Sequence, residues 1–335
     1  MAPDTPIADM NPPAAAPAFL VSAGWGGAEI RPLAGDASFR RYFRVVEHDR
    51  TAILMDSPPD KGEDPRPFIG VASWLTERGF AAPRILHQDL VQGLVLIEDF
   101  GDARMRETVD AAPESELRLY EEAVDLLIRL RDHPAAEDIG PYSPSQYHRE
   151  AKLLPEWYCD AVGLDVDHEG YNDAWNAVLD FVLEGHTPVT VLRDYHAENI
   201  MLIEGSESLG LLDFQDALAG HPAYDLVSLL QDARRDVPAE LETAMLDRYK
   251  RTTGVGDEFD VAYHVLGAQR NAKIVGIFTR LWKRDGKPRY PGLCPRVWRY
   301  LERDLAHPAL KPVADWFDAN IPADMRGDPM AIAGE

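Results

Sequence analysis

The feature that most constrains this chain is the stretch Val189–Asp225, VTVLRDYHAENIMLIEGSESLGLLDFQDALAGHPAYD. It holds three apolar runs, 189–192, 200–203 and 209–212, each too short for a helix and bounded by polar or glycine-containing segments. Runs of that length read as buried strands. The first delivers Asp194 into a polar loop, and the other two form a hairpin around Glu204-Gly205-Ser206-Glu207-Ser208. Asn199 then stands just before one hairpin strand and Asp213 just after the other.

Those residue types suit phosphoryl transfer. The reaction needs a carboxylate beside the acceptor hydroxyl and magnesium to bridge the phosphates; a loop Asp supplies the first, a loop Asn and a second Asp the metal ligands. Magnesium takes hard oxygen donors, and one or two carboxylates plus phosphates suffice. Asp194 is therefore assigned to the hydroxyl, and Asn199 and Asp213 to Mg2+. A lone Asp-x4-Asn is common in solvated loops; the signal is its combination with strand, hairpin and Asp-Phe. Gln215 or Asp216 can reach acceptor hydroxyls, and Asp216 can equally cap the next turn.

The segments RDYHAENIML and LLDFQDALAGHPAYDLVSLL resemble the aminoglycoside-phosphotransferase-like kinases, small-molecule relatives of protein kinases. Their motif is H-x-D-x-H-x-x-N, then a D-F/W element, then an Asp opening a helix. Leu192 replaces the first His, a change to loop packing, while Asp194, His196, Asn199, Asp213 and Asp225 are kept. The resemblance implies a two-lobed protein-kinase-like α+β fold, a small antiparallel β lobe plus a larger helical lobe, with ATP and Mg2+ between them. It also implies that Asp225 braces the catalytic loop through its backbone, with His196 as a second bracing residue. Gln215, where protein kinases often have Gly, argues for a fixed site and not a mobile activation segment.

The expected divisions are a flexible lead-in over 1–25, an N-lobe over 26–99, a C-lobe over 100–322 and a flexible tail over 323–335. In the N-lobe, strands are expected at 29–33, 39–46 and 51–55, a helix at 68–78, and strands at 84–87 and 93–100. The turn Gly35-Asp36-Ala37-Ser38-Phe39 can offer backbone N–H groups to ATP phosphates, with Arg44 behind it. Ile97, Glu98, Asp99 and Phe100 fall where the family reads adenine. Kinases hold the phosphates with a strand Lys paired to a Glu, but here the position is Met55. Either Arg40, Arg41, Arg44 or Lys61 supplies the cation, or magnesium and backbone amides carry the phosphates. Beyond the hinge the pattern is helical. Tyr147, Trp157 and Tyr158 line an acceptor pocket or belong to the core. The helix expected over 260–283 places Arg270, Lys273, Arg280 and Arg284 on a basic stripe. Arg270 and Arg280 are the candidate contacts to an anionic acceptor, and Trp282 stacks on a sugar ring or is core.

A net charge of -23 argues against nucleic acid or anionic membrane as a partner. No apolar run reaches the ~20 residues of a membrane span. Two cysteines without a metal-ligand pattern suit reduced thiols, so a cytoplasmic monomer is expected. GDASFRRYFRV, LMDSPP and LIEDFGD, with the Asp213 element, resemble the branch of bacterial anomeric amino-sugar kinases. That likeness implies phosphorylation of N-acetylmuramate and N-acetylglucosamine at the C1 hydroxyl, within peptidoglycan recycling. Alternatives are a kinase of another small alcohol (an aminoglycoside, choline or homoserine) and a nucleotide-binding pseudokinase.

Overall fold

Alternating and helical apolar periods resolve into nine strands and twelve α-helices in the computed structural model, which describes residues 11–33, 40–206 and 208–334. In chain order these are α1 (Ala16–Ser22), β1 (Glu29–Leu33), β2 (Arg41–Glu47), β3 (Arg50–Asp56), α2 (Arg66–Glu77), β4 (Ile85–Asp89) and β5 (Leu94–Glu98). Next come α3 (Met105–Ala111), α4 (Glu116–Arg131), α5 (Pro144–Ala151), α6 (His168–Leu183), β6 (Val189–Val191), β7 (Ile200–Leu202), β8 (Leu209–Leu211) and β9 (Leu218–Gly220). The chain ends in α7 (Ala223–Leu230), α8 (Ala239–Thr253), α9 (Asp257–Lys283), α10 (Cys294–Leu305), α11 (Lys311–Asn320) and α12 (Pro329–Ala333). The architecture is α+β, and two compact units can be distinguished, Met1–Glu107 with Glu198–Asp216 and Thr108–Ala197 with Ala217–Glu335.

In the first unit an antiparallel sheet has the order β1-β2-β3-β5-β4. Side chains alternate across each strand. Phe43 and Val45 on β2, Ala52 and Leu54 on β3, and Leu94 and Leu96 on β5 therefore share one buried face. That face is covered by Ala16, Phe19 and Leu20 of α1, with Trp25 beyond it. The lead-in expected over 1–25 is thus corrected for its described part: prolines and acids suggested an unstructured segment, yet the APAFLVSAGW run closes the core. Gly93, at φ 70°, ends the β4–β5 turn where a Cβ would stand 2.0 Å from the Ser57 carbonyl oxygen, so only glycine fits.

The β7–β8 hairpin belongs to this unit, although it falls within the range expected for the helical lobe. Backbone bonds explain why: Leu211 N–H donates to the Ala81 carbonyl at 2.8 Å and Leu202 N–H to Ala103 at 2.7 Å. Phe214 stacks on Phe68 of α2 with ring centroids 5.0 Å apart.

The second unit is built on α9. Its buried residues run around the whole helix, from Phe259 to Leu281, and include Gln269, Arg270 and Asn271. A helix buried on all sides is a core helix, not an amphipathic one. Gly276 permits the closest approach, since a Cβ there would meet the Leu153 backbone at 2.2 Å. Tyr147 and Tyr158 are core residues, both 0% exposed. The Tyr158 hydroxyl donates to the Met325 carbonyl at 2.7 Å and accepts the Gly327 N–H at 2.9 Å. Asp328 caps α12 by accepting the Met330 N–H at 2.9 Å. The tail expected to be flexible over 323–335 is therefore ordered as far as it is described, because buried partners take up its backbone groups. No helix of the described residues is long and apolar enough to cross a membrane.

Truncating Phe19, only 5% exposed, tests the role of α1. Phe19→Ala should cost about 3–5 kcal/mol, as for other buried phenylalanines, read as a lower urea midpoint at unchanged slope; a merely appended segment would leave the midpoint unmoved.

Candidate functional site

Asp194 lies in the second unit, in the loop after β6. Its backbone N–H donates to the Leu192 carbonyl at 2.9 Å, and its own carbonyl accepts from His196 N–H at 3.1 Å. These tight turns are possible because Arg193 takes the left-handed conformation, φ 71°, which costs a non-glycine residue about 1–2 kcal/mol. The Asp225 carboxylate at the start of α7 offsets that cost. Its two oxygens accept the N–H groups of Leu192 at 2.6 Å and of Arg193 at 2.8 Å. Burial is the main influence on Asp225 and pushes its pKa up to about 7, against those two donors and Arg270. His196 is buried, with Nε2 3.2 Å from the Arg234 guanidinium; burial lowers its pKa.

A charged cluster surrounds this loop. Glu150, near the end of α5, pairs with the Arg193 guanidinium and lies 3.2 Å from Lys273 Nζ on α9. It also accepts from the Tyr142 hydroxyl, whose oxygen lies 3.1 Å from the Tyr224 hydroxyl. Burial pushes the Glu150 carboxyl up, but Lys273, Arg193 and the Tyr142 hydroxyl outweigh it and hold the pKa below the usual value. Asp194 behaves likewise: burial raises its pKa, while Lys273, His196, Arg270 and Arg193 together bring it below the ordinary aspartate range. The loop therefore presents an ionised carboxylate.

Arg270 does not form part of an exposed stripe. It is 4% exposed and donates to Ser228 Oγ at 2.7 Å, and that hydroxyl donates to the Arg193 carbonyl at 3.3 Å. Arg270 thus leaves the expected basic stripe, whose other members are less covered, Lys273 and Arg280 being half-buried and Arg284 exposed. Arg280 is half-buried, and burial, then Arg284, lowers its pKa. Trp282 is half-buried, not core, and carries Lys283 Nζ 4.3 Å from its ring centroid.

Asn199 and Asp213 lie together in the first unit. Asn199 Nδ2 donates to Asp213 Oδ2 at 3.3 Å, and Gln215 Nε2 donates to Oδ1 at 2.8 Å. Asp213 has φ 59°, a strained setting for a non-glycine residue. The side-chain oxygen of Asn199 and the exposed carboxylate of Asp213 are the hard donors a magnesium ion requires. Gln215, expected at the acceptor, thus also braces Asp213. Asp216 is exposed.

Arg44 is engaged by carboxylates. Its Nε lies 2.8 Å from Asp99, and its terminal nitrogens reach Asp102 at 2.9 and 2.8 Å and the Gly101 carbonyl at 3.1 Å. This guanidinium staples the end of β5, while the Asp99 side chain also accepts Gly101 N–H at 2.9 Å. Ile97 is buried in the sheet, Glu98 pairs with Arg84 at 3.0 Å, and Phe100 packs over Gly210. Gly35, Asp36, Ala37, Ser38 and Phe39 lie outside the described residues.

The sequence reading missed Glu150, Arg193, Tyr142, Tyr224 and Ser228. Glu150 carried a signal: it stands three residues after Tyr147 and one before Ala151, on the buried face of α5. A carboxylate on such a face requires paired partners. As a check on this cluster, the Asp194 carboxyl should titrate below the model-peptide value of about 3.9, and Lys273→Met should raise it, read by carboxyl-carbon NMR. Its ionised form contributes stability at neutral pH, lost as the pH falls through the lowered value.

The model of the phosphotransferase enzyme family matches residues 29–260. An N-acetylmuramate/N-acetylglucosamine kinase of Pseudomonas aeruginosa is 40% identical over 305 residues, covering 87% of this chain and 88% of the relative. The protein of the same description from Caulobacter vibrioides is 34% identical over 356 residues, covering 93% and 98%. Among solved structures, ADP-bound aminoglycoside phosphotransferase APH(2'')-Ib superposes with a TM-score of 0.59 at 14% identity, covering 87% of this chain and 97% of that one. This last likeness shows the fold alone.

Proposed function

Because the chain belongs to the phosphotransferase enzyme family, we propose that it transfers the γ-phosphoryl group of ATP to the anomeric C1 hydroxyl of N-acetylmuramate and N-acetylglucosamine. The observation that carries the reaction is the Asp194 carboxylate, ionised and fixed at the tip of a loop that Asp225 braces. The acceptor class follows the relatives that are 40% and 34% identical over most of the chain.

Asp194 orients the C1 hydroxyl and takes its proton as the oxygen attacks phosphorus in line; the bond to the β-phosphate oxygen breaks and ADP leaves. An anomeric hydroxyl is more acidic than an ordinary alcohol, so a carboxylate of low pKa serves as base. Asn199 and Asp213 would hold Mg2+, with Gln215 fixing the Asp213 oxygen. Magnesium bound there supplies neutralisation of the phosphate charge. A role in peptidoglycan recycling, a cytoplasmic site and a monomeric state complete the reading; two buried free cysteines suit a reducing compartment.

Phosphorus-31 NMR of products from ATP, magnesium and a panel of amino sugars tests this. A sugar 1-phosphate signal is expected with either N-acetyl sugar, falling about 10²–10⁴-fold in Asp194→Ala. Phosphate on a C6 hydroxyl, or only on choline or an aminoglycoside, would overturn the acceptor. No product from any acceptor would leave a nucleotide-binding pseudoenzyme.

A further inference from the structure

The β2–β3 register leaves the phosphates without the usual cation. Tyr42 stands opposite Met55 and Arg41 opposite Asp56. Met55, where kinases carry the lysine that holds the phosphates, is 0% exposed and has no cationic group to offer. Four basic residues lie near it in the sequence, and the structure separates them. Arg41 is engaged by Asp56, its Nε at 2.8 Å and a terminal nitrogen at 2.5 Å from one carboxylate oxygen. Arg44 is the staple on Asp99 and Asp102 described above. Lys61 ends an exposed 3-10 turn.

Arg40 differs. It immediately precedes β2, two residues before Tyr42, which stands opposite Met55. Its Nε lies 2.9 Å from Glu63 Oε2, with the two side chains only 13% and 16% exposed. Glu63 lies three residues before the first residue of α2, the helix that follows β3. The arrangement repeats in other residues the lysine–glutamate pair by which kinases hold a phosphate cation in place. Tyr42 adjoins the pair through a hydrogen bond with Arg40.

We propose that Arg40, held by Glu63 and adjoining Tyr42, is the cation that receives the polyphosphate of the nucleotide, in place of the strand lysine. The inference rests on the phosphotransferase reading above. A guanidinium carries five N–H donors in a fixed fork, so pairing at Nε is compatible with a two-pronged contact to phosphate oxygens from its other edge.

Calorimetric titration of the full chain with ATP, ADP and adenosine tests the clamp. Arg40→Met should weaken ATP and ADP about tenfold to a hundredfold and leave adenosine unchanged, because only phosphate contacts are lost. Arg40→Lys should recover part of the affinity, and Glu63→Gln should weaken ATP less than Arg40→Met does. Wild-type ATP affinity in Arg40→Met, or an equal loss for adenosine, would overturn the clamp while leaving the kinase reading intact. Failure of the unaltered chain to bind ATP would sink that reading and the clamp with it.

Discussion

Two adjacent backbone N–H groups, those of Leu192 and Arg193, converge on one buried carboxylate, Asp225. The loop that carries Asp194 depends on this contact. A left-handed Arg193 is unfavourable by itself, and a three-residue strand such as β6 is too short to dictate the path beyond its end. Asp225 opens α7, a helix whose residues are all buried, so the brace is anchored in the core of its unit. A neutral side chain could not replace it simply. An asparagine offers one acceptor oxygen where two N–H groups need partners, and an unsatisfied buried donor costs about 1–3 kcal/mol.

Around this brace, cations are distributed so that none is left to act alone. Glu150 takes Arg193 and Lys273, while Ser228 takes Arg270 and passes the contact to the Arg193 carbonyl. Removing Glu150 would therefore do more than delete one pair: it would leave two positive groups near Asp194 without their common counter-ion, a strongly destabilising change for a buried network. The result in the intact chain is local positive potential within a molecule of net charge -23. That potential holds a carboxylate ionised in a partly buried place, where desolvation alone would favour its neutral form.

Much of this architecture is legible in the sequence because its signals are local. The strand at 29–33 follows from five residues and coincides with β1, and the apolar runs at 200–203 and 209–212 differ from β7 and β8 by one residue each. The positions of Asp194, Asn199, Asp213 and Asp225 stand in a recognisable motif. What was not legible depends on partners far away in the chain. Arg270, Lys273, Arg280 and Arg284 have helical spacing that looks like a solvated stripe, and only the packing around α9 turns Arg270 onto Ser228. The amphipathic pattern says which residues share a side of a helix; it does not say whether another element covers that side. Residues 16–25 and 323–333 were obscured in the same way, since prolines and acids conceal the few apolar residues that dock.

The same limit explains why several arginines near one strand could not be ranked from sequence. Arg40, Arg41 and Arg44 share chemistry and nearly share position, and what distinguishes them is the carboxylate each one meets. Asp56 lies opposite Arg41 by strand register, Asp99 meets Arg44 at the end of β5, and Glu63 approaches Arg40 from the segment before α2. The first two pairs tie backbone elements together, each carboxylate being under 5% exposed as a side chain. Releasing either arginine to phosphate would strand a buried acid. Glu63 is more exposed, at 16%, so water can compensate it when Arg40 shifts part of its hydrogen bonding to another anion. In the proposed clamp, the cost of burying an unpaired carboxylate, more than the location of the arginines, is what singles out Arg40.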